Sequence, residues 1–157
     1  MSQMKRVLFL CNGNSARSQM AEALLRHVGG EYFEAFSAEA HPDFQVHPQA
    51  LETLRRNHVP VEGLATKNIS TFAGQAFEFV ISLCDRQQEQ PSVMQGADMI
   101  YWTFPDPALP AEAKARARAF EDVFRGLERR IRLLIAVNTR PSAPARHTSA
   151  AQAFSPA

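Results

Sequence analysis

The chain reads as an α/β protein: a mostly parallel sheet of about four strands, helices on both faces, and a phosphate-binding loop after the first strand. Three observations predict this. Short apolar runs alternate with helix-period patterns along most of the 157 residues, an order that builds parallel strands joined by helical crossovers. A polar, glycine-containing loop, CNGNSARS, separates the first apolar run from the first helical pattern. One long amphipathic stripe closes the periodic part.

Taken in order, Val7 to Leu10 is a strand, and Ala21, Leu24, Leu25 and Val28 recur at helical spacing. The pair Gly29-Gly30 closes that helix as C-cap glycines do. Tyr32 to Ala38 is a second strand, and Pro48 opens a helix that carries Leu51 and Leu54. Phe77 to Leu83 reads as a buried strand and Met99 to Trp102 as another. From about Ala111 a last helix puts Phe120, Val123, Phe124, Leu127, Ile131 and Leu134 on one stripe. One domain is therefore expected over residues 1–137. Residues 138–157 are rich in Pro, Ala and Ser, have lost the periodicity, and read as a disordered tail.

Composition narrows the function. A formal net charge of +1 argues against a broad nucleic-acid surface but leaves room for a small anion site. No apolar run approaches the roughly 20 residues that span a bilayer, and Val7 to Leu10 is too short for a signal-peptide core, so no membrane association and a cytoplasmic location are expected. Two cysteines, Cys11 and Cys84, are too few for a disulfide framework and match no structural zinc pattern. Thiol chemistry or plain burial remains for them. The five histidines lack ligand spacing, so no metal site is expected.

The loop after the first strand carries the chemistry. In an open parallel sheet, ligands sit beyond the carboxyl ends of the strands, and Cys11 stands there, just before a helix. Backbone N–H groups over Asn12, Gly13, Asn14, Ser15 and Ala16, with the helix N-terminus, make a concave anion receptor. Gly13 permits the tight turn. Neither the G-x-x-x-x-G-K-[ST] nor the G-x-G-x-x-G loop is present, which disfavours nucleotides. The same dipoles would stabilise a thiolate on Cys11 and lower its pKa from about 8.5 to ~3.5–7.5. Arg17 offers a planar fork to two oxygens of a tetrahedral oxyanion. Without an anion, a cation in a first helical turn opposes the dipole. Ser18 is in place to donate its hydroxyl to the sulfur.

The stretch C-N-G-N-S-A-R-S resembles the C-x-x-x-x-x-R-[ST] loop of the low-molecular-weight protein tyrosine phosphatase superfamily, which includes the thiol-dependent arsenate reductases. Ser37-Ala38, Val80 to Cys84 and the Phe104 to Ala108 stretch FPDPA extend the likeness over about Arg6 to Val137. The resemblance implies that Cys11 is the nucleophile and that Asp106 is the general acid for the leaving oxygen. Alone, Asp-Pro is a common turn pair. A carboxyl beside a bound oxyanion is pushed toward its protonated form, and Pro107 stiffens its loop.

Within that superfamily the chain resembles the reductases more closely. The phosphatases flank the acid with aromatic residues that hold a phenyl ring, whereas here Asp106-Pro107 is followed by Ala108-Leu109. Cys84 stands where the reductases have a redox cysteine. Reduction of arsenate to arsenite, and with it arsenic resistance, is therefore the implied function. An adduct on Cys11 would be resolved by Cys84 or an external thiol. The alternatives are a phosphatase of phosphotyrosine or small phosphate esters, and a non-catalytic oxyanion-binding regulatory module. The chain also departs from the family. Gln90 precedes Pro91 where thioredoxin-coupled reductases carry a third cysteine, so glutathione, mycothiol or a thioredoxin/glutaredoxin system is the implied reductant, with a transient partner protein of that kind. Ala16 replaces a loop cysteine, and Glu39 stands where glycine often follows Ser-Ala. Lys67 lies near the place of an acidic potassium ligand of some relatives, so its ammonium would take that cation's role.

Overall fold

The computed structural model describes residues 4–11, 16–43, 45–84 and 96–139. Its elements are β1 (Lys5–Leu10), α1 (Ala16–Gly29), β2 (Phe33–Ala38), α2 (Pro48–Arg56), a one-turn 3-10 helix (Ile69–Phe72), β3 (Phe79–Ser82), β4 (Asp98–Tyr101) and α3 (Ala113–Asn138). The strands form one sheet in the order β2-β1-β3-β4, and every pairing is parallel. The chain builds outward from β1 to one side and then the other, so the order switches between β1 and β3. That switch opens a crevice at the carboxyl ends of the two strands.

Alternation along β1 divides the core. Val7 and Phe9 face a cluster containing Met20, Leu24 and Leu25 of α1, Ala50 and Leu54 of α2, and the Phe120, Phe124, Leu127 and Ile131 stripe of α3. Leu8 faces the other way, with Val80, Phe72 and Phe77. All three described α-helices thus share one face, as parts of the expected α/β architecture. The 3-10 turn covers the second face by aromatic packing: Phe36, Phe72 and Phe77 meet edge-on at 5.6–5.8 Å. The Arg6 guanidinium lies 4.7 Å from the centroids of the Phe36 and Phe77 rings.

The ends of elements differ from the sequence reading for local reasons. Strand β1 begins earlier, at Lys5, because Lys5 N–H bonds the Tyr32 carbonyl and Arg6 covers aromatic surface with its head in reach of water. His47 caps α2 by accepting from the N–H of Gln49 at 3.1 Å, with Pro48 in the first turn as expected. Helix α3 starts at Ala113 rather than Ala111 and continues one residue past the expected boundary, to Asn138. There Lys5 Nζ donates to Asn138 Oδ1 at 3.0 Å, fastening the end of α3 to the start of β1. The expected tail beyond Thr139 lies outside the described residues. Among the described residues no helix is long and apolar enough to cross a membrane.

Two glycines mark close approaches. Gly29 has no left-handed backbone, contrary to the cap reading, and a Cβ there would stand 2.8 Å from Ile135 of α3. A Cβ on Gly126 would stand 2.6 Å from the ring of Phe104. Helix α3 therefore lies directly on the segment that follows β4. Gly126→Val should force Phe104 aside and destabilise the protein by about 1–3 kcal/mol, measured by urea unfolding; wild-type stability would mean that this contact is slack.

Candidate active site

Three segments converge at the carboxyl end of the sheet. Leu10 pairs with Ser82 across β1 and β3, and Leu83 N–H bonds the Leu10 carbonyl at 2.9 Å. Register alone therefore sets Cys11 beside Leu83 and Cys84. Both cysteines are buried, no disulfide joins them, and their side chains are hydrogen-bonded. From β4 the chain passes through Trp102, whose N–H bonds Ser82, into the FPDPALPA stretch, residues 104–111.

Arg17 ties these segments together. It is 4% exposed, and its Nη1 donates to the carbonyls of Phe104 at 2.7 Å and Leu83 at 3.4 Å. Its Nε is buried without a hydrogen-bond partner among the described residues. A buried N–H left over in this way is costly unless something accepts from it. At the far end of the 104–111 segment, Arg116 Nη1 donates to the carbonyls of Pro110 and Ala111, each at 3.1 Å, while its Nε holds Gln49 Oε1 at 2.7 Å. The segment is thus clamped by one arginine at each end. Between them Asp106 Oδ1 accepts from Ala108 N–H at 3.0 Å, an Asx turn. Asp106 is joined to the Cys11, Cys84 and Arg17 cluster through Phe104, two residues earlier. Behind it, Phe104, Pro107, Leu109 and Val123 help line an apolar depression of about 510 Å³.

Two expectations about the loop change. Cys11 is pushed up from the ordinary thiol range, not down. The hydrogen bond with Cys84 and burial raise it most, the charges of Cys84 and Glu39 add to this, and Arg17 alone opposes them. The loop residues Asn12, Gly13, Asn14 and Ser15, whose amides carried the contrary expectation, lie outside the described residues. Ser18, expected to donate to the sulfur, gives its hydroxyl proton to Glu39 Oε1 at 2.7 Å. A hydroxyl has one proton, so the sulfur receives none from it here.

Sequence reasoning also left out a buried ionic layer beneath α1. Glu22 is 1% exposed; Ser37 Oγ donates to its Oε1 at 2.6 Å, and Arg26 pairs with its other oxygen. Lys67 Nζ lies 3.6 Å from Glu22 Oε1 and donates to the Ala65 carbonyl at 2.8 Å. A fixed ammonium therefore stands against that carboxylate. Among the described residues, no group of three or more His, Cys, Asp or Glu side chains could hold a metal ion. His47, given no role from sequence, feels the charge of Asp106; burial lowers its pKa, and Asp106 pulls the other way. It packs 5.0 Å from the Phe120 ring.

This architecture has relatives. An arsenate reductase of Bacillus cereus is 32% identical over 111 residues, 69% of this chain and 81% of that protein. A solved structure described as an arsenate reductase in the phosphate-binding state superposes with a TM-score of 0.74 at 28% identity, over 85% of this chain and 98% of that one. A thioredoxin-dependent arsenate reductase of Corynebacterium glutamicum gives a TM-score of 0.60 at 28% identity, over 85% of this chain and 61% of that one. Residues 6–140 match the model of the low molecular weight phosphotyrosine protein phosphatase family, and the chain belongs to that family.

Proposed function

We propose that the protein reduces arsenate to arsenite through an adduct on Cys11. The observation that carries this reading is the pair of hydrogen-bonded thiols, joined by no disulfide, just past adjacent strand ends, beside a buried guanidinium whose Nε–H has no acceptor among the described residues. A phosphatase needs one thiol there; a reductase uses two or borrows one. The relatives described as arsenate reductases support it.

In this mechanism the oxyanion binds the loop amides of residues 12–18 and Arg17, and its negative charge takes up the unpaired N–H. Cys11 attacks arsenic as a thiolate, and Asp106 gives a proton to the departing oxygen. A second thiolate then attacks the Cys11 sulfur. The S–S bond forms as the S–As bond breaks, and arsenite leaves with the electron pair. Cys84 is the favoured attacker because its sulfur already contacts that of Cys11. A thiol reductant must then reopen the disulfide; the Corynebacterium relative uses thioredoxin, and glutathione or mycothiol with a glutaredoxin-like protein is the other choice. Phosphate ester hydrolysis is the second reading, favoured by the family match. It is weakened by Leu109, which is exposed where an aromatic wall would be needed.

Arg17→Lys should keep the fold and lose about 1.5–3 kcal/mol of phosphate or arsenate binding, because an ammonium cannot present the fork. Unchanged affinity by calorimetry would remove Arg17 from the anion site.

Cys84→Ser separates the two chemistries. It should retain p-nitrophenyl phosphate turnover, since water resolves a cysteinyl-phosphate, and lose arsenite production, while wild type given arsenate acquires a Cys11–Cys84 disulfide by mass spectrometry. Undiminished arsenite formation with a mixed disulfide on Cys11 would assign resolution to an external thiol. No arsenite from wild type with any thiol system, beside brisk ester hydrolysis, would make the protein a phosphatase. Neither product, with anion binding intact, would leave an oxyanion-binding module.

A further inference from the structure

The β1–β2 register pairs Leu10 with Ala38, so the next residues on each strand line, Cys11 and Glu39, stand at the same end of the sheet. Cys11 thus has a carboxylate on its β2 side and a second thiol on its β3 side. Glu39 is wholly buried. Its backbone is locked, with its N–H on the Lys67 carbonyl at 2.9 Å and its own carbonyl accepting from Ile69 at 3.1 Å. Oε1 takes the Ser18 hydroxyl at 2.7 Å, and Ser18, itself fully buried, follows Arg17 directly. Oε2 is buried with no hydrogen-bond partner among the described residues, an arrangement that suits a carboxyl able to carry a proton.

We infer that Glu39 is a positioning residue for the nucleophile: by holding the Ser18 hydroxyl away from the sulfur and setting a carboxylate at the same sheet end, it keeps Cys11 a thiol in the resting protein. The inference rests on Cys11 being the nucleophile. When the Glu39 charge is removed, the Ser18 hydroxyl is released to donate toward the sulfur and the thiolate loses a like-charged neighbour, so Cys11 gives its proton to solvent at lower pH. The groups facing Glu39 agree with this. Burial raises its pKa overall and the charge of Asp43 adds to this, while the Ser18 hydrogen bond, the Lys67 charge and a Lys67 backbone hydrogen bond favour its carboxylate. Its charge in turn acts on Cys11 against ionisation.

The test is the pH dependence of Cys11 alkylation by iodoacetamide in the full chain, read on the Cys11 peptide by mass spectrometry so that Cys84 is scored separately. Glu39→Gln keeps the shape and removes the charge. Its alkylation midpoint should fall by about one pH unit, giving a roughly tenfold faster reaction below both midpoints. Glu39→Gly is the second variant, because the backbone bonds to Lys67 and Ile69 need no side chain; it should shift in the same direction. A midpoint that is unchanged or raised, in whichever variant retains a cooperative melt, overturns the role of Glu39. Alkylation needs no arsenate, so loss of the reductase reading would leave this result standing, and the reverse holds too.

Discussion

The buried guanidinium of Arg17 is the constraint on which the active end of the molecule depends. It projects from the first turn of α1 and bonds carbonyls at the end of β3 and at the start of the Asp106 segment. Three pieces of chain distant in sequence are thereby held by one side chain. A cation there works against the helix dipole, and its burial removes water from it. Those costs are accepted at a place where an anion would relieve both. The same group that would hold the oxyanion also holds the walls around it, so binding and local order are coupled.

Charge beneath α1 follows the same logic. Two wholly buried carboxylates, Glu22 and Glu39, lie under α1. Glu22 has Arg26, Lys67 and Ser37, a well-supplied set of partners. Among the described residues Glu39 has the Ser18 hydroxyl, a backbone hydrogen bond from Lys67 and the charge of Lys67, and burial outweighs them. Two acids of one type in one layer thus have different electrostatic lives, decided by which neighbours the sheet ends bring to them.

What was legible in the sequence is what repeats locally. The four strands and three helices show in the apolar runs and in the Phe120 to Leu134 stripe, because burial imposes a period on the chain. Cys11 and Arg17 show because a loop motif is contiguous. The 3-10 turn at Ile69–Phe72 was missed, although Asn68, whose side chain caps Ser70 N–H, was a usable signal. Cys11 ionisation was misjudged for a deeper reason. What raises its pKa most is the hydrogen bond with Cys84 and burial, with Glu39 adding a smaller push; these two residues lie just past the strands either side of β1, 73 and 28 residues away in sequence, and only register reveals them. The glycine pair after α1 was assigned to a backbone need, whereas Gly29 answers to the approach of Ile135.

The bond from Leu83 N–H to the Leu10 carbonyl has a bearing on how such a site can change over evolutionary time. The spacing of the two chain segments that lead to the thiols is a property of sheet pitch, about 4.8 Å between neighbouring strands, and owes nothing to the length of the connections between them. Loops around the site are free to lengthen, shorten or drift in composition while the sulfurs stay opposed. A single-residue slip of β3 against β1 would instead move Leu83 and Cys84 together past Cys11 and turn every side chain of the strand to the other face. The placing of the two cysteines side by side is insured by the most cooperative part of the fold.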